Sequence, residues 1–214
     1  MNLSETERLS IEARTARLEA HTGVQAVVAV VGRCDAYPEV PWKAFALCSG
    51  LAALATLPWH PDAMLGGSAF LLAGAAAALA TLCVPAFARL FLDSARRETE
   101  TRQYAASFFF DHDLSRTQRR NVILVLVGGF ERTVVILPDA GLSPCLAAAE
   151  LKAIIARMVP QLAAGRMAAA LLDGLDALEA LLATKRLAGG TGTKAIEGES
   201  EDEIEQEVFE EAGA

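Results

Sequence analysis

The chain of 214 residues has no excess of positive charge: 19 Lys and Arg stand against 27 Asp and Glu. That balance removes the electrostatic footprint of a nucleic-acid binder, so no nucleic-acid partner is expected. Only four cysteines occur, Cys34, Cys48, Cys83 and Cys145, at spacings that give neither a zinc site nor a disulfide framework. Aromatic residues make up 6%, with two Trp and two Tyr. Met1–His21 lacks the apolar core of a signal peptide, so the N-terminal segment is expected not to be exported. No Ser-His-Asp arrangement is evident. Gly189-Gly-Thr-Gly-Thr-Lys194 lacks the spacing of a phosphate-cradling loop and follows a predicted helix.

What the chain does have is apolar length. Hydrophobic residues reach 53%, and Trp42–Leu92 is almost without charge. Two apolar segments lie there, Ala44–Leu57 and Ala63–Ala88, separated by Pro58–Asp62. A bilayer core about 30 Å thick takes roughly 20 helical residues, which the second segment meets. The first is shorter, but Trp42 and Trp59 bracket it as interfacial indoles do. The pair is predicted to be a transmembrane helical hairpin. Lys43 precedes it and Arg89, Arg96 and Arg97 follow, whereas the turn carries no Lys or Arg. Positive residues favour the cytoplasmic side. The expectation is a two-pass protein of the cell (inner) membrane with both termini cytoplasmic.

The flanking sequence reads as one soluble domain cut by that insertion. Residues 1–41 form its first part, 42–92 the hairpin, 93–188 its second part, and 189–214 an acidic tail. Ser4-Glu-Thr-Glu7 is a capping-box pattern opening a helix that ends at Gly23. Val24–Val31 and Asn121–Val127 are continuous apolar runs, expected as parallel strands buried on both faces. Arg132–Leu137 is a third strand, antiparallel to the second across Gly128–Glu131. Between the hairpin and the second strand, Ala86–Phe110 has helical period, so the second membrane helix is expected to continue into it. Ser143-Pro144 reads as the cap of a helix running to Ala163, and Arg166–Leu187 as the last helix. The predicted fold class is α/β, a small α/β/α sandwich with a mixed sheet. From Gly189 onward, nine Asp and Glu face one Lys, so the tail by itself carries the net charge of −8. Low hydrophobicity with dense like charge predicts disorder over 189–214. Glu203–Glu211 is nonetheless amphipathic if helical.

The stretch RRNVILVLVGGFERTVVILPDAGLS (Arg119–Ser143) resembles the core of the TPM domain family. There an Arg/Asn-flanked apolar strand, a short turn with Glu-Arg, and a strand closing on Asp-x-Gly recur. Gln103–Phe109 before it, the Gly165-Arg166 break, and the opening helix ending in His21-Thr-Gly23 also fit. The resemblance covers roughly Ser4–Val31 and Arg97–Leu187. It departs from the family where Val122, rather than Gly, follows Asn121, and where the hairpin interrupts the domain. It implies a membrane-associated protein, with phosphatase activity and divalent-cation binding suggested for some relatives.

Two functional readings follow. In one, the chain is a membrane-anchored, non-catalytic interaction or accessory module whose partners are the lipid bilayer and another protein. In the other, it is a divalent-cation-dependent phosphatase at the cytoplasmic membrane face. Asp139 falls on the family's Asp-x-Gly, and Asp35 follows the first strand, so the two carboxylates are the candidate metal ligands for calcium or magnesium. Turn chemistry explains Asp139-Ala-Gly141 without a ligand. Glu131-Arg132 reads as a solvated turn pair, and Asp111-His112-Asp113 as a helix end.

Overall fold

The computed structural model describes residues 3–59, 63–114, 121–188 and 208–213. The chain divides into two units, one of residues 1–35 and 98–214 and the other of residues 36–97.

The first unit is built on four strands, β1 (Gln25–Arg33), β2 (Val122–Gly128), β3 (Thr133–Pro138) and β4 (Phe209–Gly213). Their order is β3-β2-β1-β4. β1 and β2 are parallel, with Gln25 opposite Val122 and Val31 opposite Gly128. β2 and β3 are antiparallel, and β1 and β4 parallel. Alternation along the strands sends residues to opposite faces. Val28, Val30, Ile123, Val125, Val134 and Ile136 join one core with helices α1 (Glu5–Thr22), α6 (Ala148–Ala163) and α7 (Met167–Ala188). Val27, Ala29, Leu124, Leu126 and Val135 join a second core with Ala105, Phe108 and Phe109 of α5 (Ser94–Asp111). Helices thus cover both faces, as continuous apolar strands require.

Local signals explain most boundaries. Ser4 caps α1 with a reciprocal box, its Oγ accepting from Glu7 N–H at 3.3 Å while Ser4 N–H donates to Glu7 Oε2 at 2.9 Å. Gly23 closes α1 at φ 69°, a left-handed cap suited to glycine. α6, by contrast, starts at Ala148 and not at Ser143. The Ser143 N–H is already held by the Asp139 carbonyl at 2.9 Å, which keeps residues 139–143 in a turn. Glu150 then accepts from Ala147 N–H at 3.0 Å and opens the helix.

The second unit contains α2 (Glu39–Thr56), a 3₁₀ turn (Leu57–Trp59), α3 (Ala63–Cys83), and the short α4 (Pro85–Ala88) with a second 3₁₀ turn (Arg89–Phe91). α2 and α3 pack antiparallel. Ser49 Oγ donates to the Phe70 carbonyl at 3.1 Å, and a side chain at Gly74 would collide with Phe45 and Ser49. The expected unbroken run from α3 into α5 does not form. Val84 is extended (φ −123°, ψ 94°), because Pro85 behind it disfavours the helical conformation. Leu92 is extended as well, and Asp93 Oδ1 accepts from Ala95 N–H at 2.7 Å to restart the chain as α5. Among the described residues one helix is long and apolar enough to cross a membrane, α3, over Gly66–Cys83 with mean hydropathy 1.7. α2 carries Glu39 and Lys43 in its first turns, which shortens its apolar stretch.

The tail expectation needs correction at its end. The expectation is disorder across 189–214, with Glu203–Glu211 amphipathic if helical; residues 209–213 instead form β4. Charge density disfavours a core, but Val208 and Phe209 are adjacent, and a strand directs adjacent residues to opposite faces. Val208 is buried in the first core, and Phe209 packs against the second. Residues 189–207 and 214 lie outside the described residues, as do 60–62 of the hairpin turn.

Candidate functional site

The two predicted metal ligands sit at opposite ends of the sheet. Asp139 follows β3, and its N–H donates to the Val122 carbonyl at 2.9 Å, level with the start of β1. Asp35 lies beyond the other end of β1. Eight residue steps along β1 at about 3.3 Å each separate the two levels by roughly 25 Å. The cause is the antiparallel turn of β3, which brings its C-terminal end to the edge where the parallel strands begin. Asp35 and Asp139 therefore share no site. Among the described residues no group of three or more His, Cys, Asp or Glu side chains is placed to hold a metal ion. The residues present do not fit a two-carboxylate cation site made of Asp35 and Asp139.

Asp139 is mainly a turn residue. Its carbonyl accepts from Leu142 N–H at 3.0 Å and Ser143 N–H at 2.9 Å, and its Oδ1 from Ala140 N–H at 2.6 Å. Its Oδ2 is buried without a hydrogen-bond partner. Gln25 is equally buried, with an unpartnered Nε2, on the same sheet face one strand beyond Val122. Nothing in the sequence singled out Gln25, since one polar residue beside an apolar run marks only where a strand begins.

The other edge holds a buried cluster around Glu131. This residue is 0% exposed, which corrects the expectation of a solvated turn pair. Its Oε1 accepts from Cys34 N–H at 2.9 Å, so the carboxylate closes the end of β1. Gly128 makes room for it: a Cβ there would lie 2.7 Å from Glu131 Oε2 and 3.1 Å from Cys34 Sγ. Burial, with the Glu131 charge, pushes the Cys34 thiol up to about 12, which makes the sulfur a poor nucleophile. Arg132 is held at φ 54° and donates to the Ala163 carbonyl at 3.1 Å. The Gly128-Gly129 pair was the visible signal. It reads as a turn, whereas the first glycine also vacates space for a carboxylate.

Beside β4 lies a third cluster. His112 stacks on Phe108 with ring centroids 3.9 Å apart, and Phe209 meets both edge-on. Tyr104 Oη donates to Glu211 Oε2 at 2.6 Å. Burial first, and the Glu211 carboxylate second, raise the phenol above its ordinary range. His112 Nε2 lies 3.8 Å from Glu211 Oε1. The Asp111-His112-Asp113 segment thus spends its imidazole on ring packing and on β4.

A mixed α/β sheet with helices on both faces is an architecture shared with a solved protein. The NMR structure of the BA42 protein from the psychrophilic bacterium Bizionia argentinensis aligns with a TM-score of 0.57 at 13% identity, covering 98% of this chain and 96% of that one. At that identity the likeness concerns the fold. No curated protein matches the chain. Residues 78–181 match the family model of the TPM domain, from within α3 to within α7. That match takes in the strand pair and the turn at Asp139, the stretch that carries the resemblance to the TPM domain family.

Proposed function

We propose that the chain is a membrane-anchored TPM-domain protein that acts as an interaction or accessory module at the cytoplasmic face. The observation that carries the reading is the surface of α3: only 17% of Gly66–Cys83 is buried. A core helix of a soluble protein hides its leucines. Here Leu71, Leu72, Leu79 and Leu82 are all more than half exposed, as are Leu47, Leu51 and Leu54 of α2. Exposed apolar area on that scale calls for lipid or protein.

Sheet continuity supports the two-pass arrangement. β1 precedes the apolar unit and β2 follows it, yet they are paired neighbours. In this reading both flanks share one side of a membrane, and residues 36–97 cross an even number of times. α3 spans about 31 Å at 1.5 Å per residue over its 21 residues. α2 with its 3₁₀ turn makes the shorter return, with Trp42 exposed near its start. The Lys and Arg distribution puts the shared side in the cytoplasm.

Fusing reporters to Met1 and Ala214 tests this: both should report cytoplasm, and an exported reporter at either end defeats the topology. Replacing Leu72 and Leu79 together by Arg should move the protein out of the membrane fraction, at about 2.5–3.5 kcal/mol per charge near the bilayer centre. Retention of that variant in the membrane would mean that α3 does not span.

The phosphatase alternative at Asp35 and Asp139 loses its shared carboxylate site. Millimolar calcium or magnesium should therefore move the melting temperature of the parent and of Asp35→Asn alike. A cation shift that disappears on replacing either carboxylate would restore that alternative.

A further inference from the structure

We propose that the flank of β1 that β4 covers is a strand-exchange site, filled in one chain by its own C-terminal segment and able to take the same segment from a second copy. The proposal rests on the interaction-module reading and names the partner as another copy of this chain. Membrane insertion can fail its own test without altering the outcome of the one below.

β4 is held by a defined set of contacts. It joins β1 over Ala29–Phe209, Val30–Glu210, Val31–Glu211 and Arg33–Gly213. Val208 enters one core and Phe209 the other, so the strand is pinned through both faces of the sheet. Glu211 takes the Tyr104 hydroxyl, and Glu210 Oε1 accepts from Leu3 N–H at 3.1 Å. Gly32 completes the seat: a Cβ there would lie 2.5 Å from the Ala212 carbonyl oxygen, so only glycine admits the strand at that point. These features recognise a defined sequence, an aliphatic and an aromatic residue followed by two carboxylates, a small residue and glycine.

Every copy carries that sequence. It also carries 19 residues, 189–207, between the end of α7 and Val208. Their contour length, up to about 3.5 Å per residue, reaches well past one small domain. Covalent length therefore does not restrict the strand to its own sheet. A reciprocal exchange keeps every β1–β4 contact, so monomer and exchanged dimer differ mainly in concentration dependence. The covalent link sets an effective concentration, in about the millimolar range, that a second copy must match. Exchange then competes where copies are crowded.

Two full chains with complementary defects, purified in detergent, test the proposal. The acceptor lacks residues 208–214 and has an empty β1 flank; the donor carries Gly32→Val and cannot seat its own strand. Neither should self-associate, and mixing should give a one-to-one complex by light scattering. Phe209→Ala in the donor should weaken that complex at least tenfold. Should the truncated acceptor fail to fold, a full-length Val208→Ser/Phe209→Ala chain, with the tail retained and its anchors removed, takes its place. A synthetic peptide of Val208–Ala214 provides the second measurement. Peptide binding without complex formation would assign the flank to another protein's strand and overturn exchange. Absence of both would make β4 a fixed cap and overturn it equally.

Discussion

A carboxylate with no exposed surface is costly unless its oxygens are occupied. Glu131 Oε1 accepts from Cys34 N–H, which offsets part of that cost, and the side chain lies in the space that Gly128 leaves empty. Gly128→Ala should therefore destabilise the fold by about 1–3 kcal/mol through overpacking. Glu131→Ala should cost a similar amount, about 1–3 kcal/mol, by stranding the Cys34 N–H. The two should not add, because the truncated glutamate gives the new methyl room. A coupling of at least about 0.5 kcal/mol in a double-mutant cycle is expected, and additivity would separate the two residues. Cys34 makes a chemical prediction at the same scale. With Cys48, Cys83 and Cys145 replaced by Ser, a thiol reagent at pH 8 should label Cys34 only at the rate of opening, since burial holds its proton to about 12. Fast labelling of the folded protein would show that the site is open.

Helix ends and helix pairs behave as independent elements with their own tests. Ser4→Ala removes the acceptor of the α1 capping box and should cost about 1 kcal/mol in a denaturant melt. α1 is also fastened to α7: Glu179 accepts from His21 Nδ1 at 2.6 Å and from Arg14, and Arg14 also binds Asp176. The His21 hydrogen bond first, then Arg14, lower the Glu179 carboxyl below its ordinary range against the opposing effect of burial. A carboxyl depressed in the folded state contributes stability above its unfolded pKa and loses it as pH falls through the folded value. The melting temperature should accordingly drop on acidification below about pH 4.5, and Glu179→Gln should make that drop shallower. An unchanged slope in the variant would place the acid sensitivity elsewhere. Glu150, lowered first by Lys185 and then by the Ala147 N–H it accepts, acts in the same direction on α6.

At the scale of the whole molecule, what the sequence determined is local or periodic. The capping box at Ser4, the Gly23 stop, the three apolar strands with their parallel and antiparallel senses, and the last helix all rest on signals within a few residues of one another. Apolar length likewise marked α3 as the helix fit to cross a membrane. The resemblance around Asp139 could be read from the sequence because it is a contiguous pattern, and the family match covers it. Tertiary structure decided what depends on distant partners. Asp35 and Asp139 parted because an antiparallel strand returns to the edge where its parallel neighbours start, a property of sheet order rather than of either residue. Glu131 became buried because Gly128 and Cys34, far apart in the chain, leave a space of its size. The acidic C-terminal segment became a strand because Val208 and Phe209 find a core on each face of β1, and no window of the tail contains either core.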